Sequence, residues 1–292
     1  NNLGYKTGTE IAQVLTAIPA GVTSIYLNRN GLGRKTCEEI CHIISSIPAS
    51  VSSLDLSWNG LYFKTGDELA QVLARTPAGI TSINLSMNGL GFYTGTEIAH
   101  ALAQIPAGVT SLNLSGNNLG DKTGDELAKI LEAIPAGVTS LDLSDNCLGY
   151  KTGDELAKIL TAIPRGVTSL KLSDNCLGYI KRSDEFAKLL AEIPAGVTSL
   201  DLTGNVLGRK TTHDRLNNIK YEITCPINPF IYENYSIRFD FFLGILSSSV
   251  TTVIIDGKDC NISDILLNAV FPENARGNSL YSEDDVIKPK FN

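Results

Sequence analysis

Basic charge, histidine, tryptophan and methionine are all scarce in this 292-residue chain. Acidic residues outnumber basic ones, 31 to 24, and the pI is about 5.1. A nucleic-acid backbone repels such a chain on average, so no nucleic-acid partner is expected. No apolar run approaches the roughly 20 residues that span a bilayer, so no membrane partner is expected either. No secretory signal is visible, although the chain starts inside a repeat without Met, which leaves a preceding segment open. The three histidines are His42, His100 and His213. The first two fall in helical segments, where an ordinary polar surface role fits them. No G-x-S-x-G elbow, Gly-rich phosphate loop or H-E-x-x-H pair occurs. The six cysteines form no C-x-x-C pair and no Cys/His zinc spacing. They read as free thiols of a reducing compartment. The one pairing worth weighing is Cys147 with Cys176, in the same slot of neighbouring repeats.

What the chain has in abundance is repetition. Asn1, Asn30, Asn59, Asn88, Asn117, Asn146 and Asn175 are spaced by 29 residues, and Asn205 follows after 30. Each from Asn30 onward is the sixth residue of a phrase of the form LxLxxNxL, as in LDLSDNCL at Leu141 to Leu148. Apolar alternation over so short a phrase predicts a strand. The other half of the unit has helical spacing, with Leu127, Leu131 and Ile134 on one face. Thr7/Glu10, Thr36/Glu39, Thr65/Glu68, Thr94/Glu97, Thr123/Glu126 and Thr152/Glu155 are T-x-x-E capping boxes that start each helix. Prolines from Pro19 to Pro194 end them. One strand and one helix cannot bury a core alone; stacked, the strands form a parallel sheet and the helices coat it.

These phrases resemble leucine-rich repeats of the 28–29-residue type seen in ribonuclease inhibitor. The resemblance implies an α/β solenoid, a horseshoe with a parallel sheet on the concave face and helices on the convex face. It also implies a structural role for the Asn column. Three regions are expected: repeats over 1–208, an insertion with an irregular last repeat and capping helix over 209–271, and a polar tail over 272–292. The last repeat is read from Val250, Val253 and Ile255, which match the apolar slots of the unit before it. The IPAGVTSLDLS units further resemble the leucine-rich repeat effectors that Legionella injects into host cells. Some bacterial effectors of this kind carry a ubiquitin ligase with a Cys-x-Asp nucleophile, but no Cys here is followed by x-Asp.

Comparison between repeats of the same chain separates framework from free positions. The slot between the two strand Leu holds Tyr26, Asp55, Asn84, Asn113, Asp142, Lys171 and Asp201, and alternation turns it to the concave face. The slot before each Asn holds Arg29, Trp58, Met87, Gly116, Asp145, Asp174 and Gly204. Because Gly and Asp serve there, Trp58 and Met87 are not required as core. A loop slot holds Tyr5, Arg34, Phe63, Phe92, Asp121, Tyr150, Tyr179 and Arg209, with Tyr62 beside Phe63. Aromatic, Met and Arg residues are the types enriched at protein interfaces. The candidate partner-binding residues are therefore Tyr26, Asp55, Asn84, Asp142 and Lys171 from the first slot. From the second come Arg29, Trp58, Met87, Asp145 and Asp174, and from the loops Tyr62, Phe63, Phe92, Tyr150 and Tyr179. The competing reading is that the rings pack on one another to stiffen the loops. Asp142, Asp145, Asp174 and Asp201 could hold a hard cation, but Lys171 among them favours a solvated acidic stripe.

The expectation is thus a scaffold with no catalytic residue, no metal and no cofactor. It is a monomer apart from its partner, which is a host protein or a fellow effector. The resemblance places it in a host cell's cytosol after bacterial secretion. One alternative is a ubiquitin-ligase adaptor with a preceding docking motif. Another is an enzyme using the 209–248 insertion, where His213, Asp214 and Cys225 lie without recognisable spacing.

Overall fold

The computed structural model describes residues 3–177, 189 and 192–205, and the backbone of two strands at 252–255 and 258–261. The proposed capping helix, the tail, most of the 209–271 region and Tyr179 lie outside the described residues.

Among the described residues one sheet has nine strands in chain order. They are β1 Ser24–Tyr26, β2 Ser53–Asp55, β3 Ser82–Asn84, β4 Ser111–Asn113, β5 Ser140–Asp142, β6 Ser169–Lys171, β7 Ser199–Asp201, β8 Thr252–Ile255 and β9 Lys258–Asn261. Neighbours from β1 to β8 are parallel, and β9 turns back antiparallel to β8. Register follows the sequence period: Leu54 pairs with Ile83 and Leu112 with Leu141. The extra residue before β7 does not shift it, because Leu170 pairs with Leu200. Val253 of β8 pairs with Leu200.

Among the described residues six α-helices alternate with the strands: α1 Gly8–Thr16, α2 Cys37–Ser45, α3 Gly66–Ala74, α4 Gly95–Leu102, α5 Gly124–Glu132 and α6 Gly153–Thr161. All six T-x-x-E boxes are formed, each Thr hydroxyl accepting from the Glu N–H and each Glu carboxylate accepting from the Thr N–H. The helices are shorter than the apolar spacing predicts. Ile134, expected on the α5 face, lies two residues beyond the end of that helix yet is still buried. The core is a continuous sandwich of strand Leu and Ile against helix Leu and Ile.

The Asn column explains why the unit closes as it does. The Asn59 Oδ1 accepts from the N–H groups of Asn30 and Leu32, at 3.0 and 3.2 Å. Its Nδ2 donates to the carbonyls of Leu27 and Leu56, both at 2.9 Å. The same set recurs at Asn88, Asn117 and Asn146. Backbone groups where the strand turns would otherwise be buried without partners.

Candidate partner-binding surface

Turning the chain inward at each Asn requires left-handed backbone on one or both sides of it. In the slot before Asn, φ is 57° at Arg29, 56° at Trp58, 55° at Met87 and 53° at Asp145 and Asp174, while Gly occupies it at 116 and 204. That conformation costs an L-residue roughly 1–2 kcal/mol, less for Asp and nothing for Gly. The slot is thus not merely permissive, as comparison of the repeats implies; it favours Gly and Asp. Trp58 and Met87 sit there against its preference. Trp58 is 50% exposed, and the Arg29 guanidinium lies 4.8 Å from its ring centroid. Met87 is half-buried and leans over the next repeat, where a Cβ on Gly116 would fall 2.3 Å from its Sδ.

Tyr62 breaks a second framework rule. The equivalent residues are Gly33, Gly91, Gly120 and Gly149. A Cβ at Gly33 would lie 1.9 Å from the Gly60 carbonyl oxygen, and one at Gly149 2.0 Å from that of Cys176. Tyr62 is accommodated with its N–H 3.2 Å from the Asn88 carbonyl, against 2.8 Å at Gly91 and Gly149. Its ring packs on Phe63 at 4.2 Å and on Phe92 at 5.2 Å between centroids. Arg34 lies 5.9 Å over Phe63. The rings of Tyr62, Phe63 and Phe92 pack together, as the competing reading expects, and Tyr62, Phe63, Phe92 and Tyr150 all stay exposed. Arg34 belongs to the patch too, and its column position already carried that signal.

The concave column has a framework task that the sequence reading did not assign. Asp55, Asn84, Asn113, Asp142 and Asp201 each accept, through Oδ1, the backbone N–H two residues on, at 2.8–3.0 Å. A short side-chain acceptor stabilises the turn out of the strand. Tyr26, 71% exposed, and the exposed Lys171 cannot supply that bond, so in these two repeats another side chain has displaced it. The column lines a shallow concavity from Tyr26 to Lys171.

Toward β6 the surface turns acidic. Asp145 and Asp174 are exposed, and Lys171 stands 3.9 Å from Asp142. Partial burial, with the like charges of Asp145 and Asp201, raises the Asp174 carboxyl above its ordinary range. Among the described residues no three His, Cys, Asp or Glu side chains gather as metal ligands, and no helix is long and apolar enough to cross a membrane. Cys37, Cys41, Cys147 and Cys176 are free thiols. Cys37 and Cys41 approach to 3.9 Å between sulfurs, and burial pushes the Cys37 thiol up to about 11, away from a reactive thiolate. His42 and His100 lie exposed on α2 and α4.

Comparison with known proteins agrees with this geometry. A family model described as Leucine Rich repeat matches residues 109–128 and 138–157. The crystal structure of the leucine-rich repeat-containing protein LegL7 from Legionella pneumophila is 34% identical, with a TM-score of 0.73. That match covers 94% of this chain and 88% of the other. The tropomodulin C-terminal domain of Caenorhabditis elegans is 11% identical with a TM-score of 0.38, over 55% of this chain and 92% of that one. The yeast Rad7 and Elc1 complex gives 14% identity and a TM-score of 0.36, over 68% and 61%. No curated protein matches the chain.

Proposed function

This chain belongs to the leucine-rich repeat family, and from that premise we propose that it is a non-catalytic scaffold that binds another protein. The observation that carries the reading is the cluster Trp58, Tyr62 and Met87. Each sits at a backbone position that favours a smaller residue, and Trp58 and Tyr62 are exposed. Side chains held against local preference mark sites where a task other than folding decides the residue. An exposed patch of aromatic, Met and Arg residues is the composition of an interface hot spot. Tyr26 and Lys171 extend the surface onto the concave face, and Asp145 and Asp174 steer basic groups toward it.

Similarity to a Legionella leucine-rich repeat protein supports the role of a bacterial effector acting in the host cytosol, where unpaired thiols are at home. Its target is then a host protein or a fellow effector. Where the target is an enzyme, covering the cleft inhibits it. Affinity capture from host lysate with the wild type, followed by mass spectrometry, identifies the target. Trp58→Ala then weakens the purified complex by about 2 kcal/mol, roughly 30-fold in Kd. An affinity within twofold of wild type would overturn the assignment of Trp58.

A further inference from the structure

The rim built by the loops that leave the strands changes character in order along the stack. After β1 it exposes two cations, Arg29 and Arg34. After β2 and β3 it presents Trp58, Tyr62, Phe63 and Phe92, with Met87 half-buried. After β4, β5 and β6 it exposes Asp121, Asp145 and Asp174, with Tyr150 also exposed in the β5 loop. The same loop slots thus run from positive through apolar to negative.

We propose that this rim docks on the rim of a second copy of the chain, antiparallel, forming a two-fold dimer. A two-fold interface must be self-complementary, since one patch meets itself reversed. An order of positive, apolar, negative meets that condition, because reversal sets cation against anion and ring against ring. An order with the same charge at both ends would not. Strands step by about 4.8 Å, so Arg34 and Asp121, three repeats apart, stand about 14 Å apart on each rim. A two-fold axis midway between them brings Arg34 to Asp121 of the partner subunit and Trp58 to Met87 of the partner subunit. Rings and thioethers attract in such contacts. The rim is narrow against the roughly 800 Å² per partner of a standard interface, so the dimer is weak and sensitive to salt. It buries Trp58, and self-association therefore competes with any target that uses the same patch. The inference rests on the exposed rim and needs no target.

The test is sedimentation velocity on the full chain from about 10 to about 500 µM, where a contact of this size dissociates, in low and high salt. Wild type dimerises with rising concentration in low salt and less in high salt. Arg29→Glu with Arg34→Glu makes the rim all acidic, and Asp121→Arg, Asp145→Arg and Asp174→Arg together make it all basic. Each variant alone is monomeric, with an unchanged circular dichroism spectrum. Their mixture restores both cation–anion contacts and forms a heterodimer of about wild-type affinity. Adding Trp58→Ala to either variant weakens that heterodimer. A wild type that stays monomeric throughout in low salt overturns the proposal. So does a dimer that survives both reversals, or a mixture that does not associate. None of these readouts involves a target protein, so the dimer and the target-binding role of Trp58 fail separately.

Discussion

Trp58 shows how a single side chain can be weighed against its backbone. Its left-handed angle costs roughly 1–2 kcal/mol. The cation–π contact with Arg29 at an exposed site returns only about 0.5–1 kcal/mol. Trp58→Gly therefore changes folding stability by less than about 1 kcal/mol, although removal of a buried Trp costs about 3–5 kcal/mol. Urea denaturation reads this directly, and a loss above about 2 kcal/mol would make Trp58 a framework residue. Asn88 is the opposite case. It is fully buried, and its side chain bonds to Asn59, Leu61, Leu56 and Leu85. Asn88→Ala strands several buried backbone groups and costs about 3 kcal/mol. A urea midpoint within experimental error of wild type would contradict that. Repetition made both roles partly legible: invariance among repeats marked Asn88 as framework, and variety marked Trp58 as free. What repetition alone did not disclose was the sign of the backbone angle, since Gly and Asp in a column fit an indifferent site as well as a left-handed one.

At the scale of the helix, the capping boxes tie stability to pH. Glu39 accepts from the N–H of Gly8 in the preceding repeat and from that of Thr36, and these bonds hold its carboxyl below the ordinary value of 4.5. Glu10, Glu97, Glu126 and Glu155 are lowered likewise, chiefly by the N–H groups of Thr7, Thr94, Thr123 and Thr152. A carboxyl lowered on folding contributes its full stability above its unfolded value and loses it as pH falls through the folded one. The melting temperature therefore holds from neutrality to about pH 5 and falls on acidification from there toward about pH 3. Thermal scans across that range check it, and a flat profile would remove the capping carboxylates from the account. The boxes were legible because T-x-x-E is a local pattern. The reach of Glu39, Glu126 and Glu155 to the repeat before them was not, since that depends on how tightly neighbouring helices stack. For the same reason Ile134 read as helix while the chain had already turned.

Across the whole molecule, strand order, parallel register and the layering of sheet and helix all follow from a 29-residue period. The candidate surface followed only in part. The exposed loop column was readable, whereas Asp55, Asn84 and Asp142 looked free and prove to brace the turn beneath them. Most side-chain bonds to a neighbouring repeat's backbone also run one way, Cys37 to the Glu68 carbonyl excepted. Asn59 serves Leu27, Asn30 and Leu32; Glu39 serves Gly8; Lys64 serves Lys35; Tyr93 serves Leu61; Thr81 serves Ser52. In each of these pairs the later side chain satisfies the earlier backbone. On a nascent chain leaving the ribosome, these backbone groups of each repeat thus stay without their partners until the next repeat has emerged.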